Sequence, residues 1–243
     1  MLNRDARHLA LAQVGADGQR KIAAATVLII GAGGIGCASA SYLAASGVGR
    51  ILLSDFDSVD TSNLARQFLY TPDDVGQQKA EVAARRLCEM NPDCNVVAID
   101  ERLSGDALAA RVSESDLVLD GSDNFTTRFM VNDACVAAGR RLITGAAIRL
   151  EGQLAVFGPD FAQQPCYRCL YEEADESLEN CAGNGVLAAV PGVIGTLMAV
   201  EALKSLAGID VNSQQLTLFD ASSTEFRSVK IKKNSQCPTC SAE

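Results

Sequence analysis

The sequence predicts an α/β fold with a Rossmann-like, doubly wound sheet that is mostly parallel and ends in antiparallel C-terminal strands. Apolar runs rich in β-branched residues alternate with stretches of helical period, as expected for a parallel sheet covered on both faces. A glycine-rich loop follows the first of these runs. With 243 residues, of which 48% are hydrophobic, the chain is long enough to bury one large core.

The N-terminal part predicts alternating strands and helices. Short apolar runs predict strands at 26–30, 50–54, 95–99, 117–120 and 141–144. Helical period predicts helices at 35–45, 78–90, 105–112 and 124–138. Gly47 and Gly139 are placed to end the first and the last of these helices.

After Ile148 the pattern changes. The stretch "EGQLAVFG" predicts a strand, a long apolar helix is expected over 187–207, and two last strands are expected at 215–220 and 225–231. Between the first strand and the helix, "YEEADESLEN" predicts a surface loop. We expect one domain over 1–243, with a helical arm at 1–24, a nucleotide-binding half at 25–148 and a second half at 149–243.

Charge and composition exclude several classes of partner. A net charge of −9 argues against binding nucleic acid or anionic lipid, and the absence of Trp together with the low aromatic content removes most stacking platforms for bases. The N-terminus has no apolar signal region, and no later stretch has about 18 uninterrupted apolar residues. The expected location is the cytoplasm, with no membrane partner.

The first motif is "GAGGIG", in which Gly31, Gly33 and Gly36 form G-x-G-x-x-G after a strand. Such glycines allow a tight turn and close approach to phosphate at a helix N-terminus, for NAD, FAD or ATP alike. Asp55 follows the second strand at the distance expected for a ligand of ribose hydroxyls. Alternatively, Asp55 only forms a turn at the strand end.

Two cations favour a triphosphate over a dinucleotide. "SNLARQ" supplies Asn63 and Arg66, and Lys79 opens the second predicted helix. Arg and Lys near a phosphate chain neutralise its β and γ groups, which a pyrophosphate on a helix N-terminus hardly requires. The alternative for each is an ordinary surface ion pair.

An oxygen-rich turn follows the fourth strand. "DGSDN" places Asp120, Asp123 and Asn124 where ligands bind parallel sheets, and such oxygens suit Mg²⁺ bridging phosphates. Asp123 is the preferred ligand, although Ser122 or Asp123 could instead cap the next helix. The only histidine, His8, is close to the N-terminus, so no imidazole is available in the core for alcohol oxidation.

Four of the nine cysteines form two C-x-x-C pairs, which indicates a closed structural Zn²⁺ site. The expected function of this metal is to staple the chain end to the loop after Phe157. The alternative is four unligated thiols. The ligands are Cys166, Cys169, Cys237 and Cys240.

The motifs "RDARHL", "GAGGIG", "DFDSVDTSNLARQ", "VGQQKAE", "DGSDN", "GAAIRLEGQ", "PCYRCL" and "CPTC", taken together, resemble the MoeB/ThiF/HesA adenylyltransferases, relatives of ubiquitin-activating enzymes. The resemblance covers residues 4–240. It implies ATP-dependent adenylation of the C-terminal glycine of a small ubiquitin-like sulfur carrier that ends in Gly-Gly, with release of pyrophosphate. The activated carrier then accepts sulfur, in molybdopterin or thiamine biosynthesis, from a cysteine desulfurase or sulfurtransferase.

The resemblance also implies site residues. Arg7 matches an arginine that family members insert into the neighbouring subunit's site, which implies a homodimer. Arg7, Arg66, Lys79 and Asp123 are the implied catalytic residues. The implied nucleotide contacts are Gly31, Gly33, Gly34, Gly36, Asp55, Asp57, Ser62, Asn63, Arg66, Lys79, Asp123 and Asn124.

Three questions stay open at the level of sequence. Cys181 matches a sulfur-transfer cysteine of ThiF-like relatives, but it could also be a structural thiol. "GAAIRLEGQLAVF" favours a MoaD-like carrier over a ThiS-like one without deciding between them. The alternatives to carrier adenylation are an NAD-dependent oxidoreductase and a non-catalytic binder of a ubiquitin-like partner.

Overall fold

A computed structural model describes residues 4–171 and 185–241, and these form one eight-stranded sheet with helices on both faces. The strands are β1 (Thr26–Ile30), β2 (Arg50–Ser54), β3 (Asn95–Ile99), β4 (Leu117–Asp120), β5 (Arg141–Ile148), β6 (Glu151–Phe157), β7 (Gln215–Asp220) and β8 (Glu225–Lys230). The helices are α1 (Ala6–Ala10), α2 (Gly15–Ala24), α3 (Gly34–Ala45), α4 (Lys79–Met90), α5 (Gly105–Ser113), α6 (Phe125–Ala138), α7 (Tyr167–Leu170) and α8 (Ala189–Ala207). Two 3₁₀ turns lie at Thr61–Asn63 and Pro72–Asp74.

The strand order is β3-β2-β1-β4-β5-β6-β7-β8. The first five strands in this order are parallel, and the pairs β5–β6, β6–β7 and β7–β8 are antiparallel. The predicted fold class is therefore confirmed. The order reverses between β1 and β4, which is where an open α/β sheet forms a binding crevice at the carboxyl ends of its strands.

Strand β5 is longer than the sequence predicts, because it continues from Thr144 to Ile148. Its partner β4 ends at Asp120, opposite Thr144, so the additional residues have no parallel partner. They pair instead with β6, which turns back after Ile148 and supplies the antiparallel hydrogen bonds. The other boundaries agree with the predictions to within two residues, and Gly139 ends α6 with a positive φ of 60°.

Each face of the sheet carries its own apolar core. On one face α2, α3, α4 and α8 cover strand residues such as Ile29, Leu53 and Leu119. On the other, α5, α6 and α7 cover Leu28, Leu52 and Val118, and the four C-x-x-C cysteines belong to this second core. Alternate residues of the central strands point to opposite faces, which explains why these strands are apolar throughout.

Helix α8 is long and apolar enough, by length and composition, to cross a membrane. It nevertheless packs on α3 and on strands β5 and β6, and it buries Ile194, Met198 and Ala202 there. Gly195 permits the close contact, since a Cβ at this position would lie 2.2 Å from the main-chain oxygen of Ile35. These contacts make α8 a core helix of the domain.

Candidate active site

A cavity of about 520 Å³ opens at the carboxyl ends of β1 and β4, at the point where the strand order reverses. Its volume falls within the range of about 300–1,000 Å³ that is typical of small-molecule sites. One end is lined by the glycine loop and the residues after β2 and β4, and the other end by β5, β6 and Tyr171. The site is therefore built from both predicted halves of the chain.

The glycine loop forms the floor of the first end. Gly31 has a φ of 89°, which only glycine adopts readily, and it turns the chain from β1 toward α3. Gly33 and Gly34 line the cavity at the N-terminus of α3, where main-chain N–H groups and the positive end of the helix dipole favour an anion. The floor of the cavity is thus suited to a phosphate.

Two of the predicted nucleotide-binding residues do not line the cavity. Gly36 packs under the loop, since a Cβ there would lie 1.9 Å from the main-chain oxygen of Gly31. Ser62 points away, and its hydroxyl donates to a carboxylate oxygen of Asp60 at 2.6 Å. Gly36 therefore supports the loop by close helix–strand packing, and Ser62 stabilises the 3₁₀ turn beside it.

Asp55 lines the cavity beside the glycine loop. Its Oδ2 accepts the main-chain N–H of Ala32 at 2.7 Å, and its Oδ1 accepts that of Asp57 at 2.9 Å. These bonds fix the carboxylate while leaving each oxygen a lone pair for a hydroxyl donor. Burial raises the pKa of the Asp55 carboxyl above its ordinary value, and the nearby Lys79 ammonium opposes that shift.

The predicted cations converge on the same end. Lys79 is 6% exposed, and its Nζ lies 3.1 Å from Oδ2 of Asp57. Arg66 lines the cavity and donates to the main-chain oxygen of Ser62 at 2.8 Å. Asn63 also lines the cavity. Both predicted cations therefore line the same cavity as the glycine loop.

The turn after β4 separates the residues of "DGSDN" by environment. Asp120 is fully buried and does not line the cavity, and burial raises the pKa of its carboxyl. Asp123 and Asn124 do line the cavity. The residue that caps α6 is Asn124, whose side chain accepts the N–H of Thr127 at 2.9 Å, so neither Ser122 nor Asp123 has the capping role. The exposed carboxylate of Asp123 is thus available to a cation.

The residues present fit a magnesium nucleotide. The donor set combines an exposed carboxylate, two cations and a glycine loop at a helix N-terminus, all on one cavity. Two polar atoms of lining residues are also buried without a hydrogen-bond partner, namely Oε1 of Gln67 and Oγ of Ser122. Such atoms are costly unless a ligand or water satisfies them.

The second end of the cavity is lined mainly by small and uncharged residues. Small residues of β5 and β6 line it, among them Ala146, Ala147 and Gly152. Tyr171 donates its hydroxyl to Oε1 of Gln153 at 2.8 Å, and both residues line the same end. The small side chains leave room for an extended peptide with little bulk of its own.

Several lining residues were not predicted. Phe56 and Arg102 form a cation–π pair at the mouth, with the guanidinium carbon 4.2 Å from the ring centroid. Tyr171 and Arg128 also line the cavity. The position of Phe56 between Asp55 and Asp57 was a usable signal, whereas Arg102, Arg128 and Tyr171 reach the site only through tertiary contacts.

Arg7 does not line the cavity of its own chain. Helix α1 lies at the far end of α3, where His8 Nδ1 is 2.8 Å from Oε1 of Gln19, and Nε2 of Gln19 donates to the main-chain oxygen of Ser46. Arg7 is exposed on this helix. Any contact between Arg7 and a cavity would therefore involve another copy of the chain.

The two C-x-x-C pairs come together although 71 residues separate them in sequence. Their four sulfurs all lie within 4.8 Å of one another, with Cys166 and Cys237 at 3.6 Å and Cys169 and Cys240 at 3.5 Å. A tetrahedral zinc with bonds of about 2.3 Å requires sulfurs about 3.8 Å apart. The four thiols therefore fit a structural zinc ion.

Neighbouring groups favour the thiolate at Cys240, whereas burial raises the pKa values of the Cys166 and Cys169 thiols. The ammonium of Lys233 donates to Sγ of Cys240 at 3.1 Å, and the main-chain N–H of Asn234 donates to Sγ of Cys169 at 3.4 Å. Burial alone would raise the pKa of Cys240, but the bonds from Lys233 and from neighbouring thiols lower that pKa to about 7. A tetrathiolate site carries net negative charge, which Lys233 offsets.

The other cysteines divide into two groups. Cys37, Cys94 and Cys135 are buried in the cores and Cys88 is half-buried, so they pack as small apolar residues. Cys181 and the stretch "YEEADESLEN", apart from Tyr171, lie outside the described residues.

Comparisons with known proteins place the chain in a family. A sequence model described as the ThiF family matches residues 6–239. The chain is 44% identical to the Escherichia coli protein named sulfur carrier protein ThiS adenylyltransferase, over 98% of this chain and 94% of the relative. It is 42% identical to a Drosophila persimilis protein named adenylyltransferase and sulfurtransferase MOCS3, over 99% of this chain but only 54% of that longer protein. The fold matches a crystal structure of E. coli MccB with succinimide, at a TM-score of 0.86 and 25% identity over 99% of this chain and 74% of MccB.

Proposed function

The chain belongs to the ThiF family, and on that premise we propose that it transfers AMP from ATP to the C-terminal carboxylate of a small ubiquitin-like sulfur carrier. Pyrophosphate leaves, and the resulting acyl-adenylate is activated for attack by sulfur. The name of the E. coli relative, an adenylyltransferase of the carrier ThiS, supports this reaction.

One observation carries the proposal: a single cavity joins a charged end, which is suited to a nucleotide, to an end lined by small residues, which is suited to a peptide. Lys79, Arg66 and Asp123 line the first end, and Ala147 and Gly152 line the second. A carrier tail of Gly-Gly adds little bulk, so it fits a passage lined by small residues. The terminal carboxylate would then meet the α-phosphate where the two ends join.

The chemistry requires charge neutralisation rather than a base. A terminal carboxylate is already ionised at pH 7, so no proton has to be removed before it attacks the α-phosphorus. The difficulty is to bring two anions together, and the side chains of Lys79 and Arg66 relieve their repulsion. Asp123 would hold Mg²⁺, which when bound withdraws charge from the phosphate oxygens.

Asp55 would bind the ribose. Its carboxylate is held by two main-chain N–H groups and retains free lone pairs toward the cavity. The bonds from Ala32 and Asp57 prevent it from swinging away, so hydroxyls of the sugar meet a preorganised acceptor. Such an acceptor suits the ribose of ATP and of NAD alike, so the support for ATP comes from the cations and not from Asp55.

We further propose a homodimer in which Arg7 completes the cavity of the neighbouring subunit. Arg7 is exposed and does not line its own cavity. Apolar side chains are exposed on the layer that contains α1, α3 and α8, with Leu11 48%, Tyr42 52% and Val200 46% exposed. Burial of such a surface against a second copy supports association.

The same proposal extends to the identity of the sulfur carrier and of the sulfur donor. The sequence motifs favour a MoaD-like carrier, while the name of the E. coli relative points to a ThiS-like one, so both belong in the test. A cysteine desulfurase or a sulfurtransferase would supply the sulfur, and the MOCS3 name pairs adenylyltransferase with sulfurtransferase.

We propose that residues 1–243 work as one adenylation domain in the cytoplasm. If Cys181 transfers sulfur, it acts after adenylation of the carrier.

Pyrophosphate exchange tests the function directly. The protein is incubated with ATP, Mg²⁺ and labelled pyrophosphate, with a ThiS-like or a MoaD-like carrier, and with the same carrier lacking its last two glycines as control. Label should enter ATP only with an intact carrier, and the faster carrier identifies the pathway. Exchange with neither carrier, together with tight NAD binding, would establish the oxidoreductase alternative; carrier binding without exchange would establish the non-catalytic binder.

A further inference from the structure

Both main-chain groups of Ser122, the residue before Asp123, are held by buried charged side chains. The N–H of Ser122 donates to Oδ1 of Asp120 at 2.9 Å. Its carbonyl oxygen accepts two bonds from Arg128, from Nη2 at 2.7 Å and from Nε at 3.2 Å. Asp120 is 0% exposed and Arg128 is 3% exposed. The turn after β4 is thus fixed at this residue from both sides.

Arg128 also reaches beyond this turn. Its Nη2 lies 3.4 Å from the main-chain oxygen of Gly145 on β5, and its Nη1 lies 3.4 Å from the hydroxyl of Tyr167. Tyr167 is 1% exposed and directly follows Cys166, a member of the cysteine cluster. The guanidinium therefore joins the turn after β4 to the segment that carries the first C-x-x-C pair.

The main chain of Tyr167 is anchored to the same helix. Its N–H donates to Oδ1 of Asn132 at 2.8 Å, and Asn132, like Arg128, belongs to α6. Asn132 is fully buried. The cysteine cluster and the turn at Ser122 are thus connected through one face of α6, by groups that are all withdrawn from solvent.

Burying a guanidinium and a carboxylate removes both from water, a penalty that only well-made bonds offset. An apolar pair could fill the same volume, so packing alone does not explain this arrangement. The bidentate fork of arginine fixes the direction of the carbonyl it binds, which a single point charge cannot do. What the arrangement provides is a defined orientation for the exposed residue that follows, Asp123.

We propose that Arg128 is a positioning residue that orients Asp123 toward the magnesium nucleotide, and that Tyr167 links this function to the cysteine cluster. The inference rests on the proposed function in one respect, the assignment of Asp123 as the magnesium ligand. Without the fork of Arg128, the carbonyl of Ser122 loses both of its side-chain donors and Asp123 is no longer held in one direction. Magnesium would then bind more weakly while the glycine loop and Asp55 still hold the nucleotide.

Arg128→Lys tests the proposal because it keeps the charge that balances Asp120 but loses the fork. The Mg²⁺ concentration that gives half-maximal pyrophosphate exchange should rise by about 10- to 100-fold, which corresponds to the free energy of hydrogen bonds to a charged group. The affinity for ATP in EDTA, measured by calorimetry, should stay within about two-fold of wild type, since the remaining nucleotide contacts are untouched. Arg141→Lys is the matched control, because this half-buried arginine also donates to a carbonyl but does not line the cavity.

Hydrogen exchange gives a readout that does not depend on activity. In Arg128→Lys, peptides covering residues 121–124 should exchange at least about ten-fold faster than in wild type, and in Arg141→Lys they should not. The inference would be overturned if Arg128→Lys and wild type showed the same magnesium dependence of pyrophosphate exchange and the same hydrogen exchange at residues 121–124. Equal changes in both variants would overturn it too, since they would reflect general loosening.

If Arg128→Lys does not fold, Tyr167→Phe decides, since it removes only one buried hydroxyl. It should shift the magnesium dependence and the exchange of residues 121–124 in the same direction, by a smaller factor. A Tyr167→Phe protein with unchanged magnesium dependence and unchanged hydrogen exchange would then refute the link.

Absence of pyrophosphate exchange in wild type would count against the proposed function alone, because the hydrogen-exchange comparison still tests whether Arg128 holds the turn.

Discussion

The ammonium of Lys79 lies 3.1 Å from the carboxylate of Asp57 at the edge of the cavity, and the two side chains differ greatly in exposure, 7% against 56%. The lysine is held in place by the protein, whereas the aspartate faces solvent. A phosphate that enters the cavity can therefore replace the exposed partner without moving the cation. Lys79 is preorganised for an anionic ligand, and such preorganisation is where electrostatic catalysis originates.

Replacing Lys79 with Gln should lower carrier-dependent pyrophosphate exchange by about 100-fold or more, because one preorganised charge on the phosphate chain is lost. Initial rates at saturating ATP and Mg²⁺ measure this. Lys204→Gln is the control, since Lys204 pairs with Glu201 on α8 and does not line the cavity. A Lys79→Gln rate within three-fold of wild type, on the order of the experimental scatter, would remove Lys79 from the mechanism.

Alanine substitutions at two glycines of the loop should have different effects, one on ATP binding and the other on stability. At Gly33 a Cβ would be 3.7 Å from the nearest other atom, Nε2 of Gln67, so Gly33→Ala should fold normally but place a methyl in the cavity and weaken ATP binding. At Gly36 the new Cβ would lie 1.9 Å from the main-chain oxygen of Gly31. Gly36→Ala should therefore lose about 3 kcal/mol of unfolding free energy. Urea unfolding and calorimetry with ATP separate the two effects, and the reverse pattern would contradict this account of the loop.

Removal of metal should destabilise the whole domain. If the four cysteines hold zinc, metal analysis should find one ion per chain, and a strong chelator should lower the melting temperature by about 10 °C or more. Cys237→Ser should have a similar effect, whereas Cys88→Ser, at a half-buried cysteine outside the cluster, should not. A purified protein that is equally stable without metal would show that the thiols work unligated.

A mixture of two inactive proteins tests the shared cavity. Arg7→Ala and Asp123→Ala should each abolish pyrophosphate exchange, because a homodimer of either variant has the substitution in both of its cavities. After dissociation and reassociation together, mixed dimers contain one intact cavity, so about a quarter of wild-type activity should return. No recovery in dimers shown to be mixed would exclude the arrangement in which Arg7 crosses to the neighbouring subunit.

Stability should depend on pH through Asp74. This buried carboxylate accepts bonds from the main-chain N–H and the hydroxyl of Thr71 and lies 3.1 Å from Arg85. Burial opposes ionisation, but these bonds together with Arg86 lower the pKa of Asp74 below 3.8. The stabilisation by ionised Asp74 is therefore fully present above the ordinary pKa of aspartate, and it is lost as the pH falls through the lowered pKa of the folded state.

Asp74→Asn should cost about 2 kcal/mol in unfolding free energy near pH 7, and the difference from wild type should shrink as the pH falls through the lowered pKa of Asp74. Chemical denaturation at several pH values measures this difference. Asp73→Asn, at the exposed neighbour, should stay close to wild type throughout. A cost for Asp74→Asn that does not change with pH would show that the ionised form is not what stabilises the turn.

Local patterns in the sequence predicted much of the fold. Strands β1 to β4 agree with their predicted bounds because each is a short apolar run between helices, and both faces of a parallel sheet are buried. The four C-x-x-C cysteines meet as the spacing predicts. The extension of β5 was not predicted, since it depends on the antiparallel partner β6 and not on the residues of β5 themselves.

The site was predictable where function and local motif coincide. Gly33, Asp55, Lys79 and Asp123 were recognised from their spacing and all line the cavity. Spacing could not show that Gly36 lies beneath the loop, because packing against Gly31 is a contact between separate elements. Arg128 was missed for a similar reason. Nothing in "NFTTRFM" distinguishes an arginine that turns inward to a carbonyl six residues earlier from one on a solvated helix face.

Strand β8 is exposed along its whole length, and within the described ranges no strand pairs with its outer edge. Phe226 and Val229 on this border are half exposed, a combination that invites intermolecular sheet growth. Charged side chains interrupt this border: Arg227 lies 3.3 Å from Glu225 of the same strand, and Lys230 is exposed at the strand end, so a second strand that pairs here would have to desolvate them. The same residues would thus keep the protein dispersed at high concentration, and neutralising them would favour fibrous aggregates.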